Sequence, residues 1–162
     1  MTAADAAPGP ALQDLIPRNH CWGCGPDNPG GLQIKSYWDG DETVCIWQPR
    51  PPFFAGPEHV LNGGIIGTLI DCHSVITAIA NAYRAEGREV GSPPDVWCAT
   101  ASMEVKYLRP TPIDAPVTLR ARVIERSGKR TTVSCTLSAN GQECARGEVV
   151  AVRVPESWRE PE

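Results

Sequence analysis

The stretch Asn62-Gly63-Gly64-Ile65-Ile66-Gly67-Thr68-Leu69-Ile70-Asp71 holds the residues best suited to chemistry. Two adjacent glycines stand where a strongly apolar helix begins, and the first amides of a helix have no intrahelical partner. With no side chains in the way, a ligand oxygen can reach those N–H groups, and the helix dipole favours negative charge there. Asn62, just before them, is a residue type that caps helix N-termini. Asp71 lies eight residues past Gly63, inside the same apolar segment. A carboxylate in such surroundings is costly to keep unless it has a partner or a task. Together they describe a site that holds a polar oxygen and attacks beside it. A glycine pair can also serve close packing alone, and a buried Asp can simply bond to backbone.

Those residues need a helix and something to wrap it. Residues 63–84 are apolar on nearly every side, with Ile65, Ile66, Leu69, Ile70, Val75, Ile76 and Ile79 spread around the axis, and Gly87 closes the segment. A helix of this pattern is buried all round. The remaining chain supplies a sheet. Residues 32–38 and 43–48 read as strands joined through Asp39-Gly40, a strong hairpin signal. Residues 97–108 alternate, with Ala99, Ala101, Met103, Val105 and Tyr107 on one face and Thr100, Ser102, Glu104 and Lys106 on the other. Strands over 117–125, 130–139 and 143–154 follow, turning at Ser127-Gly128 and Asn140-Gly141. Two strands, one long helix and four strands with short turns predict an α+β fold. Its largely antiparallel sheet, of about five to six strands, wraps the helix.

A chain of 162 residues is most simply one domain. The reading places it over residues 19–156, between a flexible N-terminal arm, 1–18, and a C-terminal tail, 157–162. A net charge of −4 argues against a broad nucleic-acid surface. No apolar run approaches the roughly 20 residues a membrane span needs. Residues 1–10 have neither the basic nor the apolar region of a secretion signal. Seven cysteines, an odd number, favour reduced thiols and a cytoplasmic setting over a disulfide framework.

The chain resembles the hotdog-fold acyl-CoA thioesterases, the PaaI-like group in particular. The matching residues are the loop Cys21-Trp22-Gly23-Cys24-Gly25-Pro26-Asp27-Asn28-Pro29-Gly30-Gly31-Leu32, the Asn62-Gly63-Gly64 motif with Asp71, and the strand from Thr100-Ala101 to Tyr107-Leu108-Arg109-Pro110. The strand order matches as well, and the resemblance spans about residues 20–154. It implies a curved sheet around one long helix, dimerisation, possible pairing of dimers into tetramers, hydrolysis of coenzyme A or acyl-carrier-protein thioesters, and no resident cofactor.

Helix geometry adds a constraint. At about 1.5 Å per residue, Gly63 and Asp71 lie about 12 Å apart along one helix, so one thioester carbonyl cannot touch both. Two helices side by side solve this, and a symmetric dimer supplies them twice. The resemblance implies the same pairing, Gly63 of one subunit facing Asp71 of the other. Gly63, with Gly64 and Asn62, would then stabilise the oxyanion, Asp71 would act as general base or nucleophile, and Thr100 would orient the water or the Asp. The family usually has His where Asn62 stands, which leaves open a protein that binds acyl thioesters without hydrolysing them; His59 is a possible substitute. A hydratase reading lacks the Asp and loop-His spacing it needs. His73 sits on a different helix face from Asp71 and reads as packing or interface.

Lys106, Arg109 and Arg130 are candidates for the phosphates of coenzyme A, against the plainer reading of solvated surface charge. Phe53 and Phe54, and the Gly/Pro-rich loop over residues 85–94, are candidates to shape the acyl pocket. Cys21-x-x-Cys24 beside His20 is half a zinc motif. Structural zinc takes four ligands and no second pair follows, so the loop reads as a turn whose thiols pack, with no metal.

Overall fold

The structure, a computed structural model, describes residues 9–160. Residues 1–8 of the expected arm and 161–162 of the expected tail lie outside the described residues. Six strands form one sheet: β1 (Tyr37–Asp39), β2 (Glu42–Trp47), β3 (Cys98–Tyr107), β4 (Val117–Ser127), β5 (Arg130–Ala139) and β6 (Gln142–Arg153), in the order β1-β2-β4-β5-β6-β3. Every described strand pair is antiparallel. One helix, α1 (Gly63–Ala85), lies across the concave side. The predicted α+β architecture is the one observed.

The turns follow from their residues. Asn140 and Gly141 both have positive φ, 52° and 73°, as a two-residue primed turn requires. At the C-terminus of α1, Gly87 takes φ 65° and the Arg88 amide donates to Tyr83 O at 2.9 Å, a Schellman closure. The helix fills the core as its composition demands: Leu69, Ile70, Ala80 and Tyr83 are fully buried. It packs closely on Gly147 of β6, where a Cβ would lie 2.6 Å from Ile70 Cγ2. Glycine there sets the depth of the helix.

Four expectations are corrected. The N-terminal arm is not free up to residue 18: Ala11, Leu12 and Ile16 are buried, and a 3-10 turn, Leu12–Leu15, packs against α1. Those apolar residues need only a small area of helix to cover them. The first strand is three residues long: Gln33 takes a left-handed φ of 56°, and the Ser36 backbone bonds to the N-terminal turn, its amide donating to Gln13 Oε1 at 2.7 Å and its carbonyl accepting from Leu12 N at 2.8 Å. Leu32 and Ile34 reach the core from irregular chain instead. Over its most apolar window α1 is long and apolar enough to cross a membrane, with mean hydropathy 1.5. The apparent lack of a span came from the polar interruptions at Asp71 and His73; here the sheet covers that apolar surface, with 72% of the window buried.

The fourth concerns β3. Strict alternation puts Thr100 on the opposite face from Met103 and Tyr107, yet Thr100 and Tyr107 both bond to α1. A register shift between Thr100 and Ser102 leaves Ala101 without a partner on β6. One extra residue reverses the parity, so Thr100 and Met103 share the helix side.

His73 is a core histidine. Its Nδ1 lies 2.8 Å from Ser36 Oγ and its Nε2 3.2 Å from Thr43 Oγ1, while Gln13 Nε2 donates to Ser36 Oγ at 2.8 Å. Burial pushes its pKa down to about 4, so the ring is neutral and ties the N-terminal turn, β2 and α1 together.

Candidate active site

Asp71 is half-buried on α1, and Thr100 Oγ1 donates to its Oδ1 at 2.6 Å within the same subunit. Burial holds the Asp71 pKa above the usual carboxylate value; the Thr100 bond opposes this, and negative charge at Cys21 adds to it. The pair lines a cavity of about 420 Å³ with largely apolar walls, among them Val75, Ile79, Trp97 and Trp158. Trp158 of the C-terminal 3-10 turn lines this cavity, and next to it the Arg159 guanidinium lies over the Trp97 ring and bonds to Asp95 at 3.2 Å. A fixed carboxylate beside an apolar recess can act on a polar bond carried by an apolar group.

Asn62, Gly63 and Gly64 lie together at the start of α1. Asn62 caps α1: its Oδ1 accepts from Gly64 N at 2.8 Å and Ile65 N at 3.3 Å. The Gly63 amide is left without an acceptor among the described residues. Tyr107 Oη donates to Gly63 O at 2.8 Å, which pins the first turn of α1 to β3. A Cβ at Gly63 would meet only ordinary contacts with the Tyr107 ring, at 3.5 Å, so packing inside the subunit does not demand glycine. Asp71 and Thr100 are thus brought together, while Asn62, Gly63 and Gly64 cluster about 12 Å away along the helix.

The three candidate cations are not gathered within one chain. Lys106 lies 3.6 Å from Glu104 Oε1, in an outer-face groove shared with Glu143, Arg146 and Glu148. Exposed Arg109 follows β3 at the Gly63 end. Arg130 opens β5 opposite Val152, which pairs with Ala99, so it stands at the Thr100 end. His59 is exposed and engages through its backbone, its carbonyl accepting from Ile113 N at 3.1 Å. Phe53 packs with Trp47 at 6.2 Å under Arg50, and the 85–94 loop closes on the N-terminal turn, where Gly91 abuts Leu15; none of these lines the cavity.

Sequence reasoning missed Tyr107 and Cys72. Tyr107 belonged to a quoted motif but carried no role. Cys72 follows Asp71 directly, and its thiol meets those of Cys21 and Cys24, the three sulfurs lying within 4.8 Å of one another. The loop thiols therefore do not merely pack in a turn of their own. Cys21 is exposed and lines the same cavity, and hydrogen bonds from the Cys24 and Cys72 thiols push its pKa down to about 2. The signal for Cys72 was only its type, since nothing local links it to a loop some fifty residues away.

Comparison with known proteins gives a consistent set. A family model described as acyl-CoA thioesterase N-terminal domain matches residues 77–152. A thioesterase superfamily protein from Shewanella loihica is 34% identical, with 75% of this chain and 91% of that chain covered and a TM-score of 0.62. The PaaI protein of the Escherichia coli phenylacetic acid degradation operon is 13% identical over 76% of this chain and 79% of that one, TM-score 0.62. A Streptococcus mutans protein solved bound to acetyl CoA is 14% identical over 75% and 88%, TM-score 0.60.

Proposed function

Because the chain belongs to the hotdog-fold thioesterase superfamily, we propose that it hydrolyses acyl-CoA thioesters at sites shared between two subunits of a homodimer. The observation that carries this is the half-buried Asp71, held by Thr100 at 2.6 Å in the wall of the apolar cavity. The acyl chain enters that cavity and the thioester carbonyl lies at its mouth. The free Gly63 amide and the dipole of α1 from one subunit polarise the carbonyl oxygen and stabilise the oxyanion. The partner's Asp71 takes a proton from water as the water attacks, or itself attacks to give an anhydride that water then opens; either way the thiolate of coenzyme A departs. Thr100 fixes the carboxylate orientation in both routes. The acetyl-CoA-bound relative from Streptococcus mutans supports a coenzyme A ester as the ligand class.

The dimer draws support from β3. It stands at the edge of the sheet, its residues from Thr100 to Glu104 are exposed, and Met103, Tyr107 and Leu108 present apolar surface beside them. Long unpaired edges of this kind are normally covered. Pairing of two such dimers into a tetramer extends the same proposal. Seven free thiols support a reducing, cytoplasmic setting.

Asn62 favours a second reading, a protein that binds acyl thioesters without hydrolysing them, since Asn stands where the family usually has His. Steady-state assays on a panel of acyl-CoAs of varied chain length decide between the two. Hydrolysis that falls by about 10²–10⁴-fold in Asp71→Asn, the range for a lost acid–base group, supports the thioesterase. Binding with no turnover in the unaltered protein supports the second reading, and turnover unaffected by Asp71→Asn removes the proposed mechanism.

A further inference from the structure

The loop carrying Cys21 and Cys24 is built to a degree that a connecting turn does not need. Gly25 N donates to Cys21 O at 2.8 Å, Leu32 N to Trp22 O at 2.9 Å and Ile34 N to Gly23 O at 3.1 Å. Asn19 Oδ1 accepts from the Cys21 amide at 3.2 Å. Gly23 stands where a Cβ would fall 2.3 Å from Cys72 Sγ, so the loop lies directly on the turn of α1 that bears Cys72. The result is three sulfurs from two separate elements converging on one point, mutually within 4.8 Å.

Their spacing suits a metal. With Zn–S bonds of about 2.3 Å, a tetrahedral site places its sulfurs about 3.8 Å apart. Cys21 Sγ and Cys72 Sγ are 3.7 Å apart. The other four cysteines differ in kind. Cys45, Cys98, Cys135 and Cys144 belong to strands, where they pack as small apolar side chains. Cys24 and Cys72 are buried while Cys21 is exposed, which gives an ion a way in.

We propose that Cys21, Cys24 and Cys72 bind one zinc ion as three thiolates, with a water molecule as fourth ligand on the cavity side. No described His or carboxylate oxygen joins the three sulfurs, so the fourth position is left to solvent. Three protein ligands with a water in the fourth position is the arrangement of open zinc sites, as against the closed four-ligand sites that are purely structural. The bound ion clamps the N-terminal loop to α1 at the residue after Asp71, and so fixes the wall of the cavity from which Asp71 projects.

The test is metal content, read without reference to turnover. Full-length protein is purified without chelator, and zinc per chain is measured by elemental mass spectrometry for the unaltered chain, Cys72→Ser, Cys24→Ser and the control Cys98→Ser. The expected result is one zinc per chain in the unaltered and control proteins and almost none in the other two. Cobalt substitution of the unaltered chain reads the same site without any variant, and is expected to give the sulfur-to-cobalt charge-transfer and visible bands of a tetrahedral thiolate site. Three results would overturn the proposal: metal-free protein that neither takes up zinc nor shows these bands, zinc content unchanged in Cys72→Ser, or a mass lower by two hydrogens showing a disulfide among the three. Each stands whether or not the protein hydrolyses acyl-CoA, so failure here is distinct from failure of the thioesterase reading.

Discussion

Asp71 and Gly63 ask different things of the residues around them. Asp71 must stay charged in a half-apolar place, and the 2.6 Å bond from Thr100 favours its ionised form against the burial that opposes it. Gly63 has only to present an N–H. The first turn of α1 allows that donor to be removed almost alone. Proline is well tolerated at the first position of a helix, Asn62 already has φ −59° and ψ 133°, the region a residue before proline prefers, and the contact with Tyr107 is an ordinary one. Gly63→Pro is therefore expected to fold with an unchanged melting temperature and to lose about 2.7–4 kcal/mol of transition-state stabilisation, roughly 10²–10³ in kcat. Thermal unfolding and steady-state kinetics check it. Full activity in a folded Gly63→Pro protein would remove that amide from the mechanism.

At the scale of elements, α1 sits where the sheet lets it. Gly147 admits the helix so closely that a Cβ would fall 2.6 Å from Ile70 Cγ2, one residue before Asp71. Gly147→Val is expected to destabilise by about 1–3 kcal/mol through overpacking and to lower kcat as well, because the helix must shift where Asp71 projects. Urea denaturation and kinetics on the folded fraction measure the two effects separately. The helix and its hairpins were legible in the sequence because their signals are local: an apolar segment after Asn62-Gly63-Gly64, and turn pairs such as Asn140-Gly141. The bulge at Ala101 was not, since one extra residue in a strand leaves no mark in composition, and it is what turns Thr100 toward Asp71. The docked turn at Leu12–Leu15 and the meeting of Cys72 with Cys21 and Cys24 were hidden for another reason. Both are contacts between segments far apart in sequence, with no periodicity to announce them.

At the scale of the whole molecule, one subunit holds both halves of the proposed site and cannot join them, since about 12 Å of helix separates Gly63 from Asp71. The edge strand β3, exposed along its middle, is where a second copy would pair and bring the halves together. The most direct measurement is complementation between two disabled chains. Gly63→Pro and Asp71→Asn are unfolded together, refolded as an equal mixture, and assayed on the best acyl-CoA substrate. If each site takes Gly63 from one subunit and Asp71 from the other, every mixed dimer regains one intact site, and the mixture recovers roughly a quarter of the unaltered activity. If the mixture does no better than the two variants assayed apart, although mixed dimers have formed, the shared site is contradicted.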